Sequence, residues 1–122
     1  MNIIVADDSF VVRSIVKKAI AHLGHQILQA VHGGEVIDIL EKMGSEVDLI
    51  LLDWNMPVMD GFQALETMKG DPRFSSIPVM MLTSESDEKK IQMAYDAGAA
   101  GYVEKPFTPE ELVRNIEKAV KD

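Results

Sequence analysis

The run Val47-Asp48-Leu49-Ile50-Leu51-Leu52-Asp53, followed at once by Trp54-Asn55-Met56-Pro57, decides how this chain is read. Consecutive apolar residues flanked by acids and closed by a proline suit a strand buried on both faces, as in a parallel sheet covered by helices. In open sheets of that kind, ligands bind in the crevice outside the carboxyl ends of the strands, so Asp53 is presented to that crevice on a rigid floor. An aspartate there can cap a helix, ligate a metal or act as a nucleophile that takes a phosphoryl group. This stretch alone leaves all three open.

Outward from that run, apolar segments alternate five times with stretches of helical periodicity. Strands are expected at Asn2–Ala6, Gln26–Val31, Asp48–Asp53, Pro78–Thr83 and Gly101–Glu104. Helices are expected at Phe10–Leu23, Gly34–Met43, Gly61–Lys69, Asp87–Ala97 and Pro109–Lys121. A repeated β-then-α unit with right-handed crossovers makes a single doubly wound α/β domain, residues 1–122, with a parallel sheet and helices on both faces. Ile3-Ile4-Val5-Ala6, Leu49-Ile50-Leu51-Leu52 and Val79-Met80-Met81-Leu82 are nearly unbroken apolar runs and belong at the centre. The mixed second strand and the short fifth, which carries Glu104, belong at the edges. Gly24, Gly44, Gly70 and Gly98 fall at helix ends, where a left-handed residue is least strained in glycine.

Composition narrows the function classes. At 122 residues and 47% hydrophobic content the chain supports one ordinary core with little room for a second domain. The absence of cysteine removes disulfide scaffolds, thiolate metal sites and cysteine nucleophiles together, so any metal is held by oxygen or imidazole. Twenty acidic residues against 12 basic ones give a net charge of −8, which repels nucleic acid and anionic membranes. With no basic leader, and no apolar run near the roughly 20 residues that cross a bilayer, a cytoplasmic protein is expected.

Parallel strands end on one edge of their sheet. Asp7 and Asp8 after the first strand, Asp53 after the third, Thr83 after the fourth and Lys105 after the fifth therefore become neighbours. Three crowded carboxylates raise each other's proton affinity, and a hard divalent cation such as Mg²⁺ relieves the conflict with oxygen ligands and water. With a phosphoryl donor each residue acquires a task. Asp53 attacks phosphorus in line to form an aspartyl phosphate, and the cation offsets the developing charge. Lys105 supplies a second positive charge, while the Thr83 hydroxyl and the Ser84 amide serve as donors to phosphoryl oxygens. Pro106, directly after Lys105, is a candidate cis peptide that would aim the lysine into the site.

These residues carry a resemblance. Ala6-Asp7-Asp8-Ser9, the block from Leu52 to Gly61, Leu82-Thr83-Ser84 and Gly101-Tyr102-Val103-Glu104-Lys105-Pro106-Phe107 are similar, in this order, to the motifs of response-regulator receiver domains, most of all the stand-alone CheY-like chemotaxis type. The resemblance spans the whole chain and implies a flavodoxin-like five-stranded sheet in the order 2-1-3-4-5. It implies that Asp53 is the phosphoacceptor and that one Mg²⁺ is held by Asp8, Asp53 and the backbone carbonyl of Asn55, with Asp7 acting through water. Lys105 is then the partner of the carboxylate and afterwards of the phosphoryl group. Thr83 and Tyr102 form the switch: Thr83 moves toward the phosphoryl oxygen and vacates space into which Tyr102 rotates, changing the face made by the fourth helix, fifth strand and fifth helix. Asn55 and Glu85 flank the path of water to the phosphorus, as in fast-resetting chemotaxis members, which implies quick self-dephosphorylation.

Other residues have plain roles open to them. Ser9, or the pair Asp7 and Asp8, can cap the first helix, and Asp60 is expected to cap the third. Lys105 alone would be a solvated edge lysine and Thr83 alone an ordinary strand end. His22 and His25 around the end of the first helix, and His32 before the second, are expected to be structural or on the surface. Methionines mostly fill the core, with Met56 and Met59 expected to remain exposed beside Asp53. Lys89, Lys90 and Ile91, with Tyr102, are candidates for an output face, and Lys89 to Ile91 equally suit a solvated helix. Phe10, Ser14 and Lys18 are candidates for contact with a phosphodonor protein.

The expected function is a phosphorylation-driven switch, not an enzyme acting on a separate substrate. A CheA-like histidine kinase or a phosphotransfer protein donates to Asp53, and a monomer then binds an effector such as a flagellar motor switch protein. The sequence closes with the fifth helix, so no fused output domain is expected. A phosphorelay carrier passing the group to another histidine is the alternative, and a degenerate receiver acting by binding alone is a further one. A flavodoxin-type cofactor binder would need a Ser-, Thr- and Gly-rich phosphate loop where Asp7-Asp8 stand. An aspartate-nucleophile phosphatase would need a substrate-enclosing cap that this length hardly permits.

Overall fold

The computed structural model describes residues 1–21 and 23–120, so the reading of His22 and the helix end at Lys121 lie outside the described residues. Strands β1 (Asn2–Ala6), β2 (Gln26–Ala30), β3 (Leu49–Leu52), β4 (Val79–Thr83) and β5 (Gly101–Glu104) alternate with helices α1 (Phe10–Ala21), α2 (Gly33–Met43), α3 (Gly61–Lys69), α4 (Glu88–Asp96) and α5 (Pro109–Val120). All four strand pairings are parallel, in the order β2-β1-β3-β4-β5. The fold expected from the sequence is therefore the fold observed, with the mixed strands β2 and β5 at the edges and the apolar runs between them.

Alternation along the central strands builds two cores, because successive side chains point to opposite faces. Ile4, Ala6, Ile50, Leu52, Val79 and Met81 pack with α2, α3 and α4, whereas Ile3, Val5, Leu49, Leu51, Met80 and Leu82 pack with α1 and α5. Each fully buried Leu or Ile contributes about 1.5–3 kcal/mol, so the sheet's centre is a stiff platform. Ala6 lies opposite Leu52, and Leu52 opposite Met81, which sets the ends of β1, β3 and β4 side by side.

Helix starts follow local chemistry. The Ser9 hydroxyl accepts from Val12 N–H at 3.3 Å at the head of α1, and Asp60 forms a reciprocal capping box with Gln63 at the head of α3. Asp87, expected as the first residue of α4, is instead its cap and accepts from Lys89 N–H at 2.8 Å. His32 turns out to cap α2, its Nδ1 accepting from Glu35 N–H at 3.3 Å, and that helix begins at Gly33. Val31, expected in β2, leaves the ladder because its N–H is taken by Glu35 Oε1 at 2.7 Å. Leu23, expected in α1, lies in the turn after it, and a short 3₁₀ turn at Gly44–Glu46 was not foreseen. Gly24, Gly44 and Gly98 have positive φ, but Gly70 ends α3 at φ −82° and needs no left-handed freedom.

Candidate functional site

Among the described residues only three polar side chains are buried, and all three stand at strand ends on one edge: Asp7 at 2% exposure, Asp53 at 5% and Thr83 at 0%. Each is placed by backbone bonding across the sheet. Asp7 N–H donates to the Ala30 carbonyl at 3.0 Å and Asp53 N–H to the Ala6 carbonyl at 3.0 Å. Lys105 follows β5, its N–H donating to the Thr83 carbonyl at 2.9 Å, and its peptide bond to Pro106 is cis, as expected.

The Lys105 ammonium spans the two buried carboxylates, donating to Asp7 Oδ2 at 2.5 Å and to Asp53 Oδ2 at 3.3 Å. Its shorter bond is to Asp7, a partner that the sequence did not suggest. Asp7 Oδ1 is also engaged, accepting from Ser9 N–H at 2.8 Å. Asp53 Oδ1, by contrast, is buried with no hydrogen-bond partner. Burial pushes the Asp53 carboxyl above the usual 3.8; the nearby Thr83 hydroxyl opposes the rise, the Asp7 charge adds to it and Lys105 opposes it. Asp8 is exposed, yet one oxygen each from Asp7, Asp8 and Asp53 lie within 4.8 Å of one another.

The loop from Asp53 to α3 is short and tight. Gly61 N–H donates to the Trp54 carbonyl at 2.8 Å, and a Cβ on Gly61 would lie 1.9 Å from the Asp53 carbonyl oxygen. Asn55 is exposed at the start of this loop. Met59 N–H donates to the Pro57 carbonyl at 2.7 Å across Val58, a γ-turn in which the β-branched Val58 has φ 67° and is 86% exposed. Met56 is buried and Met59 half-buried against the core, contrary to the exposure expected of both, because the Met59 carbonyl is drawn onto Gly33 N–H at 2.8 Å.

Beyond Thr83, the Glu85 N–H donates to Thr83 Oγ1 at 3.3 Å and the Tyr102 hydroxyl donates to the Glu85 carbonyl at 2.6 Å. Burial, and then the Glu85 and Glu104 charges, push the Tyr102 hydroxyl up to about 12, so it remains a donor at neutral pH. Lys89 is exposed and Ile91 half-buried, while Lys90 turns back to Glu85 Oε2 at 3.1 Å. The sequence reading also missed Arg13, whose guanidinium donates to the Asp7 carbonyl at 2.7 Å and to Gln29 Oε1 at 2.9 Å, tying the acid loop to α1 and β2. Its signal is the spacing of one helical turn from the cap Ser9.

The family described as the response regulator receiver domain matches residues 3–117. A chemotaxis protein CheY homolog of Campylobacter jejuni is 36% identical over 118 residues, covering 96% of this chain and 90% of that protein. The solved structure of Vibrio cholerae chemotaxis protein CheY4 aligns with a TM-score of 0.88 at 30% identity over 97% of both chains. The phosphorylated cyanobacterial phytochrome response regulator RcpA aligns at 0.85 with 28% identity, over 98% of this chain and 92% of its own.

Proposed function

Since the chain belongs to the response regulator receiver domain family, we propose that Asp53 accepts a phosphoryl group from a histidine kinase or phosphotransfer protein and that the product biases partner binding. The observation that carries this reading is the buried Asp53 carboxylate, with Oδ2 facing Lys105 and Oδ1 left without a partner. A buried acceptor without a donor is costly unless the site receives something electropositive.

The clustered oxygens of Asp7, Asp8 and Asp53 fit one hard divalent cation such as Mg²⁺. Asp8 and Asp53 would hold it, together with the backbone carbonyl of Asn55. Asp7, whose two oxygens already accept from Ser9 N–H and Lys105, would reach it through water. When bound, such an ion offsets charge on the carboxylate and phosphoryl oxygens.

An Asp53 oxygen attacks phosphorus and the donor's phosphorus–nitrogen bond breaks. Lys105 then carries its hydrogen bond from the carboxylate to the phosphoryl group, and the Thr83 hydroxyl turns to a phosphoryl oxygen. Tyr102, bonded to the Glu85 carbonyl two residues past Thr83, passes that movement to the surface of α4 and β5, where Lys89 and Ile91 lie. Water guided between Asn55 and Glu85 hydrolyses the acyl phosphate and resets the switch. We assign the protein to the cytoplasm as a monomer. A CheA-like kinase is the proposed donor and a flagellar motor switch protein the proposed effector, a choice supported by the chemotaxis relatives.

Incubation with Mg²⁺ and acetyl phosphate tests the core of the proposal. A hydroxylamine-labile phosphoryl adduct is expected, lost in Asp53→Asn and on chelation, with the Trp54 fluorescence reporting each step. Absence of the adduct would leave a degenerate receiver that acts by binding alone.

The α1 face favours one second reading, the phosphorelay carrier. Phe10 and Val11 are 70% and 64% exposed, and next to them Val12, Ile15, Pro106 and Phe107 line a hollow of about 400 Å³ that also reaches Ser84 and Lys105. An apolar surface of this kind beside the acceptor suits docking of a helical phosphotransfer protein. Transfer of label from phosphorylated Asp53 onto such a protein's histidine, faster than hydrolysis, would establish the relay, and hydrolysis alone would remove it.

A further inference from the structure

Lys90 occupies an unexpected position for its charge. It lies in the first turn of α4, where the helix dipole disfavours a cation, and a lysine there would ordinarily extend into solvent. Instead its ammonium sits 3.1 Å from Glu85 Oε2 and 5.6 Å from the centroid of the Trp54 ring. Trp54 follows Asp53, is 7% exposed, and is itself fixed by stacking on Phe62 at 5.0 Å. The Glu85 backbone is held from two further sides, by its N–H to Thr83 Oγ1 and by the Tyr102 hydroxyl on its carbonyl. With its backbone fixed by two bonds, Glu85 has only its side chain free to move, and that side chain is paired with the Lys90 ammonium.

We propose that Lys90 is a positioning residue for the resetting reaction: its ammonium, seated between Glu85 and the Trp54 ring, fixes the Glu85 carboxylate, and so sets how fast the phosphoryl group is hydrolysed. This rests on the reading of Asp53 as phosphoacceptor and of Glu85 as a neighbour of the water path. In the resetting step a water oxygen bonds to phosphorus, the bond from phosphorus to the Asp53 oxygen breaks, inorganic phosphate leaves and the carboxylate is restored. Lys90 acts on that step through Glu85. Pinning Glu85 gives one orientation for the water it guides, instead of many.

The decisive measurement is the hydrolysis rate of the phosphorylated protein in Mg²⁺, after removal of acetyl phosphate, in a double-mutant cycle. Lys90→Met keeps a side chain of similar length but removes the charge, and slows hydrolysis roughly fivefold, the order that a part-exposed ion pair commands. Lys90→Arg restores the rate to within about twofold. Glu85→Gln slows hydrolysis as well, and the further change Lys90→Met has no effect in that background. Thermal midpoints and Mg²⁺ titrations by Trp54 fluorescence remain unchanged, which separates positioning from mere loss of structure. The inference is overturned if Lys90→Met leaves the rate unchanged while Glu85→Gln alters it, or if Lys90→Met acts equally in both backgrounds. If Glu85→Gln is without effect, the role given to Glu85 fails and this inference with it; if no adduct forms in the unaltered protein, the phosphoacceptor reading itself fails.

Discussion

Asp53 carries a charge in a place that disfavours charge. Burial comes first among the causes and the Asp7 carboxylate adds to it, so the folded protein holds a proton there more tightly than an unfolded aspartate does. Stability of the metal-free protein therefore falls as pH rises from the ordinary 3.8 through the raised folded value, since the native state binds more protons across that window. Asp53→Asn removes the effect. Its thermal midpoint is expected to exceed that of the unaltered protein by a few degrees at pH 7, with the gain disappearing below about pH 4; a gain that persists in acid would contradict the assignment. Val58 stores strain of a different kind. A β-branched residue at φ 67° is unfavourable, and with 86% of its surface exposed it gains little from burial. Val58→Asn is expected to stabilise the protein by about 1 kcal/mol, read as a higher urea midpoint at constant slope. At this scale the acids, Thr83 and Lys105 were legible as residue types at strand ends. The bond from Lys105 to Asp7 was not, because 97 residues separate them and only the sheet order sets which acid stands closer.

The junction of β3 with α3 shows how an element is constrained by its neighbour. Asp53 must stay at the end of β3 while the chain reverses into α3, and only an unsubstituted Gly61 lets the helix start pass so close to the strand's last carbonyl. Gly61→Ala is expected to destabilise by about 3 kcal/mol or more and to weaken Mg²⁺ binding, because the clash falls on backbone and cannot be relieved by a rotamer. Equal urea midpoints for the two proteins would refute this. Helices and strands were readable from period and capping residues: the Asp60 cap, the α3 limits and those of β1 and β5 stand where the pattern placed them. The end of β2 and the starts of α2 and α4 shifted by a residue where a side chain took up a backbone group, as Glu35 does for Val31, His32 for Glu35 and Asp87 for Lys89. Such competition depends on which rotamer reaches which amide, which periodicity does not encode. Packing likewise drew in Met56 and Met59, since the loop that carries them is tied to α2 through Gly33.

For the molecule as a whole, the acidic edge links ligand binding to stability. A cation that binds the native state alone stabilises it by about 2.7 kcal/mol at a hundred times its dissociation constant. Mg²⁺ is thus expected to raise the thermal midpoint of the unaltered protein. Asp8→Asn, which removes one of three crowded charges, is expected to raise the metal-free midpoint slightly and to abolish most of the rise that Mg²⁺ gives; a full rise in that variant would remove Asp8 from the cation site. By itself the sequence determined the class of elements, their number and order, the central and edge strands, and the convergence of Asp7, Asp8, Asp53, Thr83 and Lys105. Apolar period, β/α alternation and the shared edge of parallel strands are local or topological properties that a linear pattern carries. Only the tertiary structure decided the pairings among those groups: Lys105 leaning to Asp7, Asp53 Oδ1 left bare, and Lys90 paired with Glu85 beside the Trp54 ring. Those choices rest on distances of a few ångströms between side chains from different strands and helices, fixed when the two cores packed against the sheet.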